Sequence, residues 1–415
     1  MPRVAGPVVQ LWSANFAPEP TGIAPVSTVL SEALVERGWS VDVVASHPHY
    51  PDPRWGMRRW PYRQRRGEVR LLRLPLLVGR DTAKQRLLQE VSIVSSFLAA
   101  TPILGPPLLR KPDVLLVVSP PFPALLAAVL NGRLRGVPWI YWMHDLLPDG
   151  AVSTGLLDED SPILRASRWL EREAYEECDA VAVLSQAFAD NVLSKGVPLE
   201  KVELIYDPAT RPFPDLGADG RGAPKEGEIK ILSMGNIGLT QGLAPLVAAF
   251  ERSDEIARRG VKLVITGNGV AADGVRAEIR SDRVQYLGLV SDERLEHELR
   301  SATLALVSQS YTGAEFNLPS KLMNFMAYRL PIVAAVNPAG ETARLVEKAG
   351  AGWVADSSAP ERFPETVISA LADPDDLGRK AEAARDYAER SFSRRAFGDS
   401  FDRLLRSVVQ PAIRL

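Results

Sequence analysis

Two strand–turn–helix–strand openings, roughly 220 residues apart, restrict the fold of this chain more than any other feature. The first starts with the apolar run Val8-Val9-Gln10-Leu11-Trp12 and turns at Pro18-Glu19-Pro20-Thr21-Gly22. A helix over residues 26–37 stops at Gly38, and a strand over 41–46 follows. The second opens with a strand at 228–234 and the glycine-spaced loop Gly235-Asn236-Ile237-Gly238-Leu239-Thr240-Gln241-Gly242. One helix over 243–259, a strand over 261–266 and the turn Gly267-Asn268-Gly269 complete it. Such βαβ units pair their strands in parallel and bind ligands at the strands' carboxyl ends. The expected fold is therefore α/β, with two Rossmann-like domains.

At 415 residues the chain exceeds what one core usually supports. The proline- and glycine-rich stretch 208–228 lacks apolar periodicity and reads as a linker. It separates a first domain, 1–207, from a second, 229–396. Residues 397–415 form an amphipathic last helix, assigned with the first domain. A formal net charge of −2 gives no general attraction to nucleic acid. The single Cys178 excludes an internal disulfide framework and any multi-cysteine metal site. Its flanking acids raise a thiol's pKa, so its expected role is structural. The chain shows no signal peptide and no apolar run of bilayer length, so a cytoplasmic or peripheral protein is expected.

The most chemically pointed segment is Asn317-Leu318-Pro319-Ser320-Lys321, directly before the apolar-periodic 322–327. Proline here marks a helix start, whose unpaired amides and positive dipole end attract anions. Lys321 adds a full charge, and only ten of the 49 basic residues are lysines. A seat for a diphosphate is one reading; an ordinary helix start with a solvated lysine is the other. His144 follows the apolar run 137–143, at a strand's carboxyl end, with Asp145 beside it to orient the ring. His47 and His49 follow the second strand and are placed to touch an acceptor. Asp158-Glu159-Asp160 precedes Ser161-Pro162 and reads as a surface turn rather than a metal site.

These residues, in order, carry a resemblance. Met234-Gly235-Asn236-Ile237-Gly238 with Gln241-Gly242, Gly267-Asn268-Gly269, Gln285-Tyr286-Leu287-Gly288 and Pro319-Ser320-Lys321 are its markers in the second half. The loop at Gly22, Lys111-Pro112-Asp113 and Trp142-Met143-His144-Asp145 are those in the first. The chain resembles retaining GT-B glycosyltransferases of family 4, particularly bacterial members that build polysaccharides and glycoconjugates. The resemblance implies two facing Rossmann-like domains, a deep interdomain cleft and a last helix crossing back to the first domain. It implies a nucleotide-sugar co-substrate, with a UDP-sugar expected, and neither a cofactor nor a metal.

By the same resemblance, Gly22, Gly235, Asn236, Gly238, Gln241, Gly267, Asn268, Pro319, Ser320 and Lys321 hold the donor and its phosphates. Gly288 and Leu289 frame the base. Asn324 reaches the ribose, and Glu341 is a second candidate for ribose or phosphate-side contacts. His144, Asp145 and Glu315 form the catalytic set, with His144 toward the donor sugar. Departures are also visible. Many members carry arginine and lysine where this chain has Asn236 and Gln241, and a glycine where it has Arg329. That shifts phosphate neutralisation onto Lys321 and the helix start.

Residues 54–73 hold eight arginines and one acid, Glu68, with Trp55, Trp60 and Tyr62 interleaved. That composition suits a surface touching anionic lipid headgroups; a solvated basic loop is the alternative. No nucleic-acid module accompanies it. The expected activity is sugar transfer to a lipid-linked or small-molecule acceptor. A nucleotide-sugar epimerase on the same architecture and a non-catalytic sugar-nucleotide binder stay open as rivals.

Overall fold

Alternating apolar strands and amphipathic helices build two separate sheets in the computed structural model. It describes residues 6–20, 22–49, 60–79, 83–100, 110–120, 122, 124–146, 148, 158, 160–216, 229–311 and 318–412. The chain divides into two compact units, Met1–Asp207 with Arg394–Leu415, and Pro208–Ser393.

In the first unit the strands are β1 (Val8–Trp12), β2 (Ser40–Ser46), β3 (Tyr62–Arg66), β4 (Val69–Leu74), β5 (Val114–Ser119), β6 (Trp139–Met143), β7 (Ala180–Val183) and β8 (Val202–Leu204). They run in the order β3-β4-β2-β1-β5-β6-β7-β8. Only β3 and β4 pair antiparallel. Every residue of β5 is buried, as expected of a parallel strand covered on both faces. Its side chains alternate between two cores. Leu115 and Val117 join Trp12, Tyr141 and Phe188, whereas Leu116 and Val118 join Leu11, Trp142 and Phe401.

Phe401 belongs to the last helix, Arg394–Ala412, which packs on this first unit. Its ring stands edge-on to Trp142 at 4.8 Å. Arg37 donates to Asp399 at 2.9 and 2.7 Å, and the Trp39 indole donates to Asp402 at 2.6 Å. Fully burying a phenylalanine contributes about 2–3 kcal/mol, so Phe397 and Phe401 weigh more in this docking than the rim ion pairs.

The second unit has β9 (Lys230–Met234), β10 (Lys262–Thr266), β11 (Val284–Gly288), β12 (Leu304–Ser308), β13 (Ile332–Val336) and β14 (Gly352–Asp356). The order is β11-β10-β9-β12-β13-β14, parallel throughout. Strand order reverses between β9 and β12, the kind of switch point where α/β sheets bind ligands. The helix expected over 243–259 is instead two, Leu243–Arg252 and Asp254–Arg258. Ser253 takes an extended conformation, and its hydroxyl accepts from the Ile256 amide at 3.3 Å, so it restarts the helix as a cap.

Two side chains depart from their expected settings or bear them out. Trp60, Arg63, Arg65, Arg66 and Arg70 are exposed around the β3–β4 edge hairpin, but Arg73 is fully buried. Its guanidinium donates to the carbonyls of Ser46 (2.9 Å) and Ala17, and its cationic form is disfavoured by burial. It is a strut behind the first sheet, not part of a basic surface. Cys178 is buried, and desolvation pushes its thiol up to about 12, which suits a structural residue. Among the described residues no helix is long and apolar enough to cross a membrane.

Candidate active site

The carboxyl edge of the second sheet is a set of loops bonded to one another. Gly235 N donates to Thr266 O at 3.0 Å, Ile237 N to Asn268 O at 3.0 Å, and Gly267 N to Gly288 O at 2.7 Å. Ser310 N donates to Thr240 O at 2.8 Å, and the Thr342 hydroxyl to Gln309 Oε1 at 2.6 Å. Gly267 has to be glycine: its φ is 122°, and an added Cβ would lie 1.8 Å from Gly235 O.

This packing changes the roles expected of several residues. The amides of Gly235, Gly238 and Gly267 are engaged within the loops, so they are not aimed at a phosphate. Gln241 Oε1 accepts from Gly238 N at 2.7 Å and closes its own turn. Asn236 folds across Gly238 and Gly269, whose missing side chains make the room. Asn268 Oδ1 accepts from Gly269 N at 2.9 Å. Gly288 adopts a left-handed φ of 66°, and Leu289 beyond it is 80% exposed.

Lys321 is a cation on this edge with no ion pair among the described residues. The helix Ser320–Ala327 follows β12, beside the switch point. Its cap position is Pro319, no side chain bonds the first-turn amides, and no acid lies in that turn. Among the described residues no carboxylate pairs with the Lys321 amine, and desolvation lowers its pKa to about 8. A desolvated ammonium without a counter-charge is unfavourable until an anion arrives. Asn324, one turn on, is not available to a ribose. It is buried, donates to Thr210 Oγ1 at 2.9 Å and accepts from Arg211 N at 3.1 Å. Glu341 is buried at the first position of the helix Glu341–Ala349, after β13. Glu315 lies outside the described residues.

In the first unit His144 ends β6, its amide donating to Ser119 O at 2.9 Å. The ring meets Trp142 edge-on at 4.7 Å. Its side chain is 10% exposed, and Nδ1 lies 3.6 Å from Asp207 Oδ2. Burial lowers the imidazole pKa, while Asp207 and then Asp145 oppose the shift. Burial raises the Asp207 carboxyl, with His144 opposing. Asp145, expected to orient the ring, is exposed and engages the Leu146 amide instead. Sequence reasoning missed Asp207. It lies three residues past the end of β8, whereas His144 follows β6 directly, so the rule that selected the histidine reaches it only loosely.

His47 and His49 are buried, and neither presents an edge outward. His47 packs against the Tyr62 ring at 5.2 Å. His49 lies on Glu19, Nδ1 to Oε1 3.4 Å, and the same carboxylate accepts from the amides of Phe16 and His49. Their acceptor-side assignment gives way to a packing one. Gly22 has φ 64° at the uncapped start of the helix Ile23–Glu36, a second open helix end.

Residues 21–208 match the family described as Glycosyl transferase 4-like domain, and 219–391 match Glycosyl transferases group 1. The putative colanic acid biosynthesis glycosyl transferase WcaI of Escherichia coli (strain K12) is 27% identical over 409 residues, 93% of this chain and 96% of that protein. Sucrose-phosphate synthase from Thermosynechococcus elongatus aligns with a TM-score of 0.68 at 18% identity, over 98% of this chain and 100% of its own. Anabaena HepE in complex with UDP-glucose gives 0.60 at 14%, over 96% and 99%. These structures share the fold: two Rossmann-like domains of the GT-B kind.

Proposed function

Because the chain belongs to the GT-B glycosyltransferases of the family 4 type, we propose that it moves a hexose-type sugar from a nucleotide donor, with UDP the expected nucleotide, to a lipid-linked acceptor. The observation that carries this reading is Lys321, a desolvated cation with no ion pair among the described residues, on an uncapped helix start at the sheet's switch point. Sugar transfer leaves charge on the departing diphosphate, and a preorganised cation aimed there stabilises the transition state more than the ground state. The donor is assigned to the carboxyl edge of the second sheet, and the acceptor to that of the first. His144 supplies a polar nitrogen to the reacting sugar. Retention of configuration and independence of metal are parts of the same proposal.

An envelope polysaccharide or glycoconjugate is the expected destination, by analogy with the colanic acid name of the relative. Trp60 and the exposed arginines of the β3–β4 hairpin suit brief contact with an anionic membrane carrying the acceptor. The test is incubation of purified protein with a panel of nucleotide sugars and lipid-linked acceptors. Binding is followed by calorimetry, and products by mass spectrometry with and without chelator. Binding and transfer of one donor are expected. If no donor binds, and none is hydrolysed or transferred, the proposal fails. Binding without turnover would favour a non-catalytic binder, the reading favoured by the missing basic residues at Asn236 and Gln241.

A further inference from the structure

We infer that Asp207 is the positioning residue of His144, holding the Nδ1 side of the ring so that Nε2 is the nitrogen offered to the ligand. The inference rests on the glycosyltransferase reading above. Two parallel strand ends bring the residues together. β6 hands the chain to His144, fixed by the bond from its amide to Ser119 O. β8 hands it on through Ile205, whose amide donates to Val183 O at 2.8 Å, and then through the buried Tyr206 to Asp207. The carboxylate then lies 3.6 Å from Nδ1. Trp142, itself wedged against Phe397 and Phe401, sets the plane of the ring.

What these contacts leave over points to a ligand. His144 Nε2 and Asp207 Oδ1 are both buried, and neither has a hydrogen-bond partner among the described residues. Buried polar atoms in folded proteins are nearly always bonded, so an orphan nitrogen at a strand's carboxyl end is waiting for a hydroxyl. With Nδ1–H directed at the carboxylate, the neutral ring presents a lone pair at Nε2. That nitrogen accepts a hydrogen bond from a sugar hydroxyl. With the opposite tautomer it would donate to the hydroxyl oxygen instead, reversing the bond and changing which hydroxyl orientation the site holds. Asp145, the other acid near the ring, is exposed and turned to Leu146, so it does not set the tautomer.

The experiment uses the full chain, labelled with 15N-histidine. Long-range 15N–1H correlation reads the ring tautomer, and His144→Gln assigns the signal. Wild type is expected as the Nδ1–H form, and Asp207→Ala as the Nε2–H form or a mixture. Asp207→Asn, which keeps shape and one acceptor, covers the case in which the alanine variant does not fold; it is expected to retain part of the Nδ1–H population. Turnover of the donor identified above is expected to lose about a hundredfold in kcat in Asp207→Ala, as misplaced catalytic groups do, with donor KM changed less than about threefold. An unchanged tautomer, or an unchanged kcat in a turning-over enzyme, overturns the inference. If wild type shows no turnover, the glycosyltransferase reading has failed, and the tautomer result stands on its own.

Discussion

Asn324 holds the chain that has just entered the second unit: it donates to Thr210 Oγ1 at 2.9 Å and accepts from the Arg211 amide at 3.1 Å. The helix that carries Lys321 is thereby fastened from its inner side, while its first turn stays uncapped. Asn324→Leu removes both bonds and strands the Arg211 amide, which costs about 2 kcal/mol. The expected outcome is a lower Tm by calorimetry, with donor Kd changed less than about threefold at a temperature where the variant is folded. A much larger loss of affinity would mean that the amide touches the nucleotide after all.

Lys321→Met is expected to weaken nucleotide-sugar binding by roughly 1.5–3 kcal/mol, the range for a hydrogen bond to a charged group. Its pH dependence has a defined sign. The amine of the free protein loses its charge as pH rises through about 8, so affinity for the diphosphate weakens above that value. Lys321→Arg, charged throughout, is expected to show a flat profile by titration calorimetry.

The same group makes a stability prediction without ligand. Its folded pKa, about 8, lies below the ordinary 10.5, so the unfolded chain binds more protons between the two values. Wild-type stability is then expected to rise with pH across that window. Lys321→Met is expected to lose the slope and to be the more stable protein at pH 7 in urea titrations.

Arg329 is the one non-glycine with a positive φ, 58°, among the described residues, and it follows the end of the Ser320–Ala327 helix. A left-handed L-residue costs roughly 1–2 kcal/mol. Its ion pair with the half-exposed Glu382 returns at most part of that. Arg329→Gly is expected to stabilise the second unit by about 1 kcal/mol, read as a higher urea midpoint with no change in turnover.

Gly267→Ala has no room: the new methyl would overlap the Gly235 carbonyl at a φ that alanine avoids. A loss of about 3 kcal/mol is expected, from overpacking and backbone strain together. Because the two loops share that contact, nucleotide binding is expected to fall as well, measured on the fraction that remains folded.

Much of this was legible in the chain. Period-two and helical patterns, punctuated by glycine, outlined both sheets, and Pro319 with Lys321 marked the open helix start. Single-sequence patterns did not separate a glycine needed for phosphate approach from one needed for loop packing, because both demand a missing Cβ; Gly267 is packed against the Gly235 carbonyl, whereas Gly235 has open space at its Cβ position and is set apart by its φ of 103°. They also did not show which polar side chains turn inward. Arg73, His47 and His49 follow or end strands as ligand-binding residues do, yet tertiary contacts with Ala17, Tyr62 and Glu19 draw them in. Asp207 was overlooked because it adjoins the linker and lies three residues past the end of β8, whereas His144 follows β6 directly.

The helix Arg394–Ala412 has a consequence for how the molecule is made. As the polypeptide leaves the ribosome, residues 1–207 emerge with one side of their sheet, around Trp142, still uncovered. Phe397 and Phe401 arrive only after the entire second unit has been synthesised. The unit made later is therefore free to mature first, and the one begun first stays sticky until the helix Arg394–Ala412 has been made. A ribosome stalled before codon 394 leaves a nascent chain with an open apolar face, a natural client for chaperones.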